Sequence, residues 1–324
     1  MQTQRIEIKQ HGGVEEMALV TRKLPDLGAG EVLLKHLAMG VNFIDTYHRS
    51  GLYPLTMPSG LGLEACGVIE AIGHGIHDLQ VGDRVAYAGG AVGAYATYRI
   101  MPADKLVLVP EAIPDAVAAG TLLRGMTAQY LLKRTFPVQA GQTILFHAAA
   151  GGVGQIACQW AQAMGVRVIG TVGSKEKAGQ ASAYCDHVIN YHDPDWVAQV
   201  RELTAGEGVP VVYDGVGEAT FAASLDCLAV RGMLVSFGNA SGAVSNFNLG
   251  LLAQQGSLFL TRPTLAHYTR NRAELVETAQ DYFAALAKSW IVPQIGQSYA
   301  MVDVQQAHLD LAARRTTGST ILFP

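Results

Sequence analysis

The chain predicts an α/β protein of two domains: an irregular, mostly β domain and a doubly wound parallel-sheet domain. Three observations carry this. Between residues 123 and 262, apolar strand-like runs alternate with helical stretches, as successive βαβ units do. A glycine-rich turn at 148–154 joins the first of those runs to a helix. Residues 1–122 lack the alternation and are rich in Val, Gly and short alternating runs. The 324 residues suffice for two sizeable cores.

Taken in order, residues 1–9 alternate as a strand and do not read as a signal peptide. Strands follow at 32–38, 65–73 and 84–87, punctuated by Gly60, Gly62, Gly73, Gly75 and Gly82-Asp83. Residues 114–133 have helical spacing. The next strands fall at 143–146, 167–172, 187–190, 211–213 and 233–237, with helices around 155–164 and 175–184. Residues 256–262 add an edge strand, 272–289 and 304–314 are helical, and 319–323 form a closing strand. A parallel-sheet domain set in the middle of the chain implies that both ends build the other domain. The expected division is 1–122 completed by 263–324, around 123–262.

Composition narrows the function. A formal net charge of −4 gives no general attraction to nucleic acid or anionic lipid. No apolar run is long enough to span a membrane. The four cysteines, Cys66, Cys158, Cys185 and Cys227, form no C-x-x-C pair, so neither a zinc lobe nor a disulfide framework is indicated, and a reducing cytoplasm fits.

The run Thr143-Ile-Leu-Phe-His-Ala-Ala-Ala-Gly-Gly-Val-Gly154 passes from strand to turn to helix, the arrangement that holds a pyrophosphate. Its pattern is A-x-G-G-x-G, with Ala149 in place of the usual first glycine. Gly151 and Gly152 are expected to make the sharp turn, and Gly154 to let helix and strand pack closely. Ala150 to Gly154, including Val153, therefore form the expected phosphate loop. About 20 residues on, NAD-binding proteins carry an acid for the adenine ribose. Val172 stands there, followed by Gly173, Ser174, Lys175 and Lys177. A carboxylate would repel a 2′-phosphate. Its absence, with Ser174 and Lys177 as donors and Tyr191 reaching from the next strand end, points to NADPH rather than NADH. Lys175 reads as a solvated helix position.

Together these residues resemble the medium-chain dehydrogenase/reductase superfamily, and more narrowly its zinc-free quinone oxidoreductases related to zeta-crystallin. The resemblance extends over nearly the whole chain. It rests on 41–54, Gly62-Leu-Glu-Ala-Cys-Gly-Val-Ile, 148–154, Val212-Tyr-Asp-Gly-Val-Gly, Val235-Ser-Phe-Gly-Asn and Thr261-Arg-Pro. It implies a GroES-like catalytic domain, a Rossmann domain, a homodimer and NADPH:quinone reduction. In the alcohol-dehydrogenase branch a cysteine and a histidine ligate zinc; Asn42 and Leu63 stand at those positions here. Glu64 remains, but an amide and a leucine do not replace nitrogen and sulfur donors. No metal is expected.

Without a Lewis acid, simple ketones should be poor substrates, whereas a quinone accepts electrons into its own ring. The expected catalytic residues are Asn42, Tyr47, Tyr53 and Arg262. Asn42 can donate near the nicotinamide or substrate. The tyrosines can stack and donate, or simply pack, and Arg262 can face the substrate or fix its loop. Asp45 can cap or orient this segment, His48 and Arg49 read as surface residues, and His147 as a packed, satisfied histidine. Further expected cofactor contacts are Thr127, Gly215, Val216, Phe237, Gly238 and Asn239, which follow strand ends, where open α/β sheets bind ligands. Gly217 can be a turn glycine.

Two other functions stay open. One is reduction of an activated C=C bond, as in enone or enoyl reductases; a coenzyme A substrate would want a basic rim, and no clear cluster supplies one. The other is a non-catalytic NADPH-binding crystallin or RNA-binding protein, which the negative charge and lack of a basic stripe disfavour.

Overall fold

The computed structural model describes residues 1–313 and 315–324; Arg314, the last residue of the expected 304–314 helix, lies outside the described residues. The chain divides into two compact units. The first comprises Met1–Met126, Thr269–Ala287 and Pro293–Pro324, the second Thr127–Tyr268 and Lys288–Val292.

In the first unit, the strand Glu31–Val41 is the central member of a seven-stranded sheet. It pairs antiparallel with Glu64–Ile72, Tyr98–Pro102 and the closing strand Ser319–Phe323. That last pairing, Leu322 opposite Met39, brings the end of the chain into the sheet begun near its start. Two register shifts against Glu64–Ile72 bend the strand. A smaller sheet joins Gln2–Ile8 to Ala18–Lys23 and Ser59–Gly60. Between them lies a core of Ile6, Ile8, Leu34, Met39, Leu61, Ile69, Tyr87 and Tyr95. The polar strand Ala18–Lys23, exposed along most of its length, has no core-facing alternation, and sequence patterning does not reveal it.

The second unit is a six-stranded parallel sheet. Its order is His187–Asn190, Arg167–Val172, Thr143–Phe146, Val209–Asp214, Leu228–Ser236, Phe259–Thr261. The order therefore reverses beside the Thr143–Phe146 strand, the place where open sheets take ligands. The three strands on one side of the switch begin and end where the apolar runs do. The 211–213 and 233–237 runs extend backward to Val209 and Leu228. The helix expected over 114–133 is regular only over Asp115–Tyr130 and widens into a π turn at Leu131–Thr135. The 272–289 helix stops at Ala287, and 288–292, expected with the first domain, belong to the second unit. There the Val292 N–H donates to Gln159 Oε1 at 2.8 Å and Ile291 is buried.

Candidate functional site

The glycine loop begins where the Thr143–Phe146 strand ends. His147 is buried, with Nδ1 2.7 Å from Thr171 Oγ1 and Nε2 2.9 Å from Ser224 Oγ. Both ring nitrogens are satisfied, and burial lowers the ring's pKa from the usual histidine value. The sharp turn falls at Ala148, φ 54°, and not at a glycine; Gly151 has φ −77°. The glycines act through close approach instead. A Cβ on Gly154 would lie 2.3 Å from the Ala148 carbonyl oxygen and 2.7 Å from that of Ala149, and one on Gly151 3.0 Å from Ala148 O. Ala149 N–H donates to Thr171 O at 2.9 Å and pins the loop to the neighbouring strand. The helix Gly152–Ala163 starts here, so the N–H groups of Gly152, Val153 and Gly154 are left without intrahelical acceptors at its positive end, next to Ala150.

At the end of the Arg167–Val172 strand, Val172 is buried and Gly173 turns outward. Tyr191 packs over Gly173, and a Cβ there would come within 2.6 Å of its hydroxyl. Ser174 caps the helix Lys175–Ala181, its Oγ accepting from the Lys177 N–H at 3.3 Å. Lys177 is half-buried and Lys175 exposed. Gly173, Ser174, Lys177 and Tyr191 thus gather at one strand end with no carboxylate at the strand's tip.

A third strand-end cluster completes this half. Asp214 Oδ1 accepts from the Val216 and Gly217 N–H groups at 2.8 and 3.0 Å, and Gly217, φ 91°, is a turn glycine. Gly215 and Gly238 touch backbone to backbone: a Cβ on Gly238 would sit 2.3 Å from Gly215 O. Phe237 lies against Gly215, with its ring 5.8 Å from that of Phe146, and Asn239 follows, half-buried. Arg262 Nη1 donates to Ser236 O at 3.0 Å and Gly238 O at 2.9 Å, and so ties its own segment to the turn after the Leu228–Ser236 strand. Thr127 is half-buried on the Asp115–Tyr130 helix. The anchoring carboxylate Asp214 was not anticipated, although an acid at the end of an apolar strand was visible in Val211-Val-Tyr-Asp214.

In the first unit, 43–50 form a helix that was not anticipated. Asp45 Oδ2 accepts from the Asn42 N–H at 2.8 Å, and Gly51, φ 88°, ends the helix. Tyr47 and Tyr53 meet edge to face, centroids 5.4 Å apart, both half-buried. His48 and Arg49, expected at the surface, are half-buried: His48 packs on Tyr53, and Arg49 Nη1 lies 3.5 Å from His308 Nδ1. The amphipathic helix turns this face inward, which a short irregular stretch would not. Beneath it, Tyr95 OH donates to Asp45 Oδ2 at 2.8 Å and lies 3.2 Å from His308 Nε2. Burial raises Asp45 to about 7 and lowers His308 to about 3.

Asn42 is buried between opposite charges. Its Nδ2 donates to Glu64 Oε1 at 2.7 Å, and its Oδ1 accepts from Arg124 Nε at 3.0 Å. Arg124 also donates to Val41 O at 2.9 Å and Ser319 Oγ at 2.5 Å, and the Leu123 N–H donates to Glu64 Oε2 at 2.8 Å. Arg124 was not anticipated; as the one basic residue of the helix Asp115–Tyr130, it was the available signal.

Two family models match the chain: the alcohol dehydrogenase GroES-like domain over 28–111 and zinc-binding dehydrogenase over 152–287. A quinone oxidoreductase of Pseudomonas aeruginosa is 48% identical over 322 residues, 99% of each chain. The solved Escherichia coli quinone oxidoreductase complexed with NADPH superposes with a TM-score of 0.96 at 47% identity, covering 99% of this chain and 100% of that one.

The chain belongs to the quinone oxidoreductases of the medium-chain dehydrogenase/reductase superfamily.

A 2-haloacrylate reductase of Burkholderia is also similar, 42% identical over 325 residues, 98% of each chain. The zinc named by one family model does not fit the residues present. At the two ligand positions stand an amide already bridging Glu64 and Arg124 and the buried alkyl side chain of Leu63. A guanidinium within hydrogen-bonding distance of the first would repel a dication. Among the described residues no group of three or more His, Cys, Asp or Glu side chains could hold a metal ion, and no helix is long and apolar enough to cross a membrane.

Proposed function

We propose that this chain reduces quinones with NADPH and without a metal: NADPH, a proton and the quinone give NADP⁺ and the hydroquinone. The observation that carries the reading is the set of strand ends in the second unit: a helix start at Gly152, a valine instead of an acid at position 172, and glycines whose close contacts leave no room for a Cβ. The N–H groups of Gly152, Val153 and Gly154 receive the pyrophosphate. Ser174, Lys177 and Tyr191 receive the 2′-phosphate, which no acid at position 172 repels. The close Gly215–Gly238 contact, held by Asp214 and Arg262, shapes the bed for the ribose and nicotinamide beside Val216, Phe237 and Asn239, with Thr127 as a further contact. When bound, the cofactor supplies the hydride. Asn42 supplies an orienting hydrogen bond, and Tyr47 and Tyr53 supply aromatic surface and hydroxyls for a planar acceptor. Similarity to an NADPH-bound quinone oxidoreductase supports the same reading.

Similarity to the 2-haloacrylate reductase favours one second reading, hydride delivery to an activated C=C bond. The test follows NADPH oxidation by the purified protein with para-benzoquinone, phenanthrenequinone and 2-chloroacrylate, before and after a chelator. Chelator-insensitive quinone turnover preferring NADPH to NADH supports the proposal. Turnover with the haloacrylate alone moves the substrate to an alkene, and loss of quinone turnover with the chelator sinks the metal-free reading.

The working form is a cytoplasmic homodimer. Exposed Val230, Leu249 and Phe259, the last on the edge strand Phe259–Thr261, supply apolar surface for a second copy. Light scattering that gives a monomer mass would remove the dimer.

A further inference from the structure

The most heavily built part of the first unit is a polar cluster that the functional reading above leaves without a role. Glu64 and Arg124 are both buried, and each is a charge that folding must remove from water. They do not meet directly; the Asn42 side chain stands between them. An ionised carboxylate only accepts hydrogen bonds and a guanidinium only donates them. Glu64 therefore dictates that Nδ2 faces one way, and Arg124 that Oδ1 faces the other. The amide is locked against rotation, with one Nδ2 hydrogen committed to Glu64 and one uncommitted.

The backbone is shaped around this arrangement. A Cβ at position 40 would lie 2.3 Å from Glu64 Oε1 and 2.5 Å from Ala119 O, so only Gly40 leaves the carboxylate room. Arg124 is fixed in turn by Val41 O, Ser319 Oγ and Gly318 O. Where the zinc branch has a ligand, this chain has an oriented amide, and the local positive charge is a guanidinium.

We propose that Glu64 and Arg124 are positioning residues that lock the Asn42 amide so that its free Nδ2–H meets the oxygen that gains charge as a quinone is reduced. The inference rests on the quinone-reductase reading. Its chemistry is a pre-oriented dipole in place of a Lewis acid: no reorganisation is needed when the oxyanion forms.

Glu64→Gln tests it. A glutamine keeps the volume and an oxygen for the Leu123 N–H, but it both donates and accepts, and so no longer dictates which way the Asn42 amide faces. The expected result is a loss of kcat with para-benzoquinone of about tenfold or more, with KM and NADPH affinity within about twofold. In an Asn42→Ala background the same change should have no further effect. In the NADPH-free protein, the side-chain amide NMR resonances that Asn42→Ala deletes should shift in Glu64→Gln. Should Glu64→Gln fail to fold, Arg124→Lys, which keeps the charge and loses the fork, is expected to give the same kcat-only loss. Wild-type quinone turnover with unchanged kcat in these variants, or an equal loss on the Asn42→Ala background, overturns the positioning role and leaves the functional reading standing. Absent quinone turnover in the wild type sinks that reading and the proposal with it.

Discussion

Gly154→Ala should damage the cofactor site far more than Gly151→Ala, although both sit in one loop. The added methyl at position 154 would lie 2.3 Å from Ala148 O and 2.7 Å from Ala149 O, both backbone atoms. Ala148 already holds a left-handed conformation, φ 54°, and Ala149 is tied to Thr171, so the loop has little freedom to retreat. The helix start must then move by roughly 1 Å, as in other overpacked sites, at about 1–3 kcal/mol. At position 151 the nearest atom is 3.0 Å away, a contact relieved by a few tenths of an ångström. Because the displaced N–H groups are those proposed to receive the phosphates, the same energy is expected in binding: about 5- to 150-fold weaker NADPH for Gly154→Ala, and under about fivefold for Gly151→Ala. Fluorescence titration of NADPH, with urea unfolding alongside, reads both quantities. Equal affinities in the two variants would refute the argument that close approach, and not backbone flexibility, makes Gly154 a glycine.

Three further outcomes follow from the same geometry. Lys177→Ala should weaken NADPH by about tenfold, on the scale of a charge-assisted contact, and leave NADH unaffected, whereas Lys175→Ala should change neither; an equal loss for both cofactors would remove Lys177 from the 2′-phosphate. Tyr53→Phe should lower quinone turnover more than NADPH affinity, and full activity would reduce Tyr53 to packing against Tyr47. The third concerns acid. Burial lowers His308 from 6.5 to about 3 and His36 to about 4, so the unfolded chain binds more protons, and both contribute stability above pH 6.5 that is lost as pH falls toward 4. Asp45 and Glu64, raised by burial to about 7 and about 6, act in the opposite sense. His308→Gln should therefore flatten the acid side of the stability profile by on the order of 1 kcal/mol per pH unit; profiles parallel to the wild type would show that His308 is not held neutral.

The sequence reading and the fold agree most closely where a short apolar run is itself the strand. The runs at 143–146, 167–172 and 187–190 are strands of a parallel sheet, the first two largely buried and the edge strand buried only at Ile189, and their ends coincide with the strand ends. The strand Ala18–Lys23 and the helix Phe43–Ser50 were hidden for different reasons: the strand is exposed along most of its length and has no core-facing alternation, whereas the helix is amphipathic but only 8 residues long, too short for its period to stand out. Asp45 accepts from the Asn42 N–H at the start of that helix and from Tyr95 OH, 50 residues away, so the helix is tied to a distant segment that local sequence does not show.

Contiguous residues alone reveal the parallel-sheet domain, the strand–glycine turn–helix segment at 143–164 and the valine in place of an acid at position 172, because each is written in one stretch of chain. Tertiary structure decided what contiguous residues cannot express. It placed the turn at Ala148, turned Arg262 onto the backbone of Ser236 and Gly238 and set Asn42 between Glu64 and Arg124. Those last three residues are far apart along the chain. What joins them is the shared need of a buried carboxylate, amide and guanidinium for partners, which only the folded chain can satisfy.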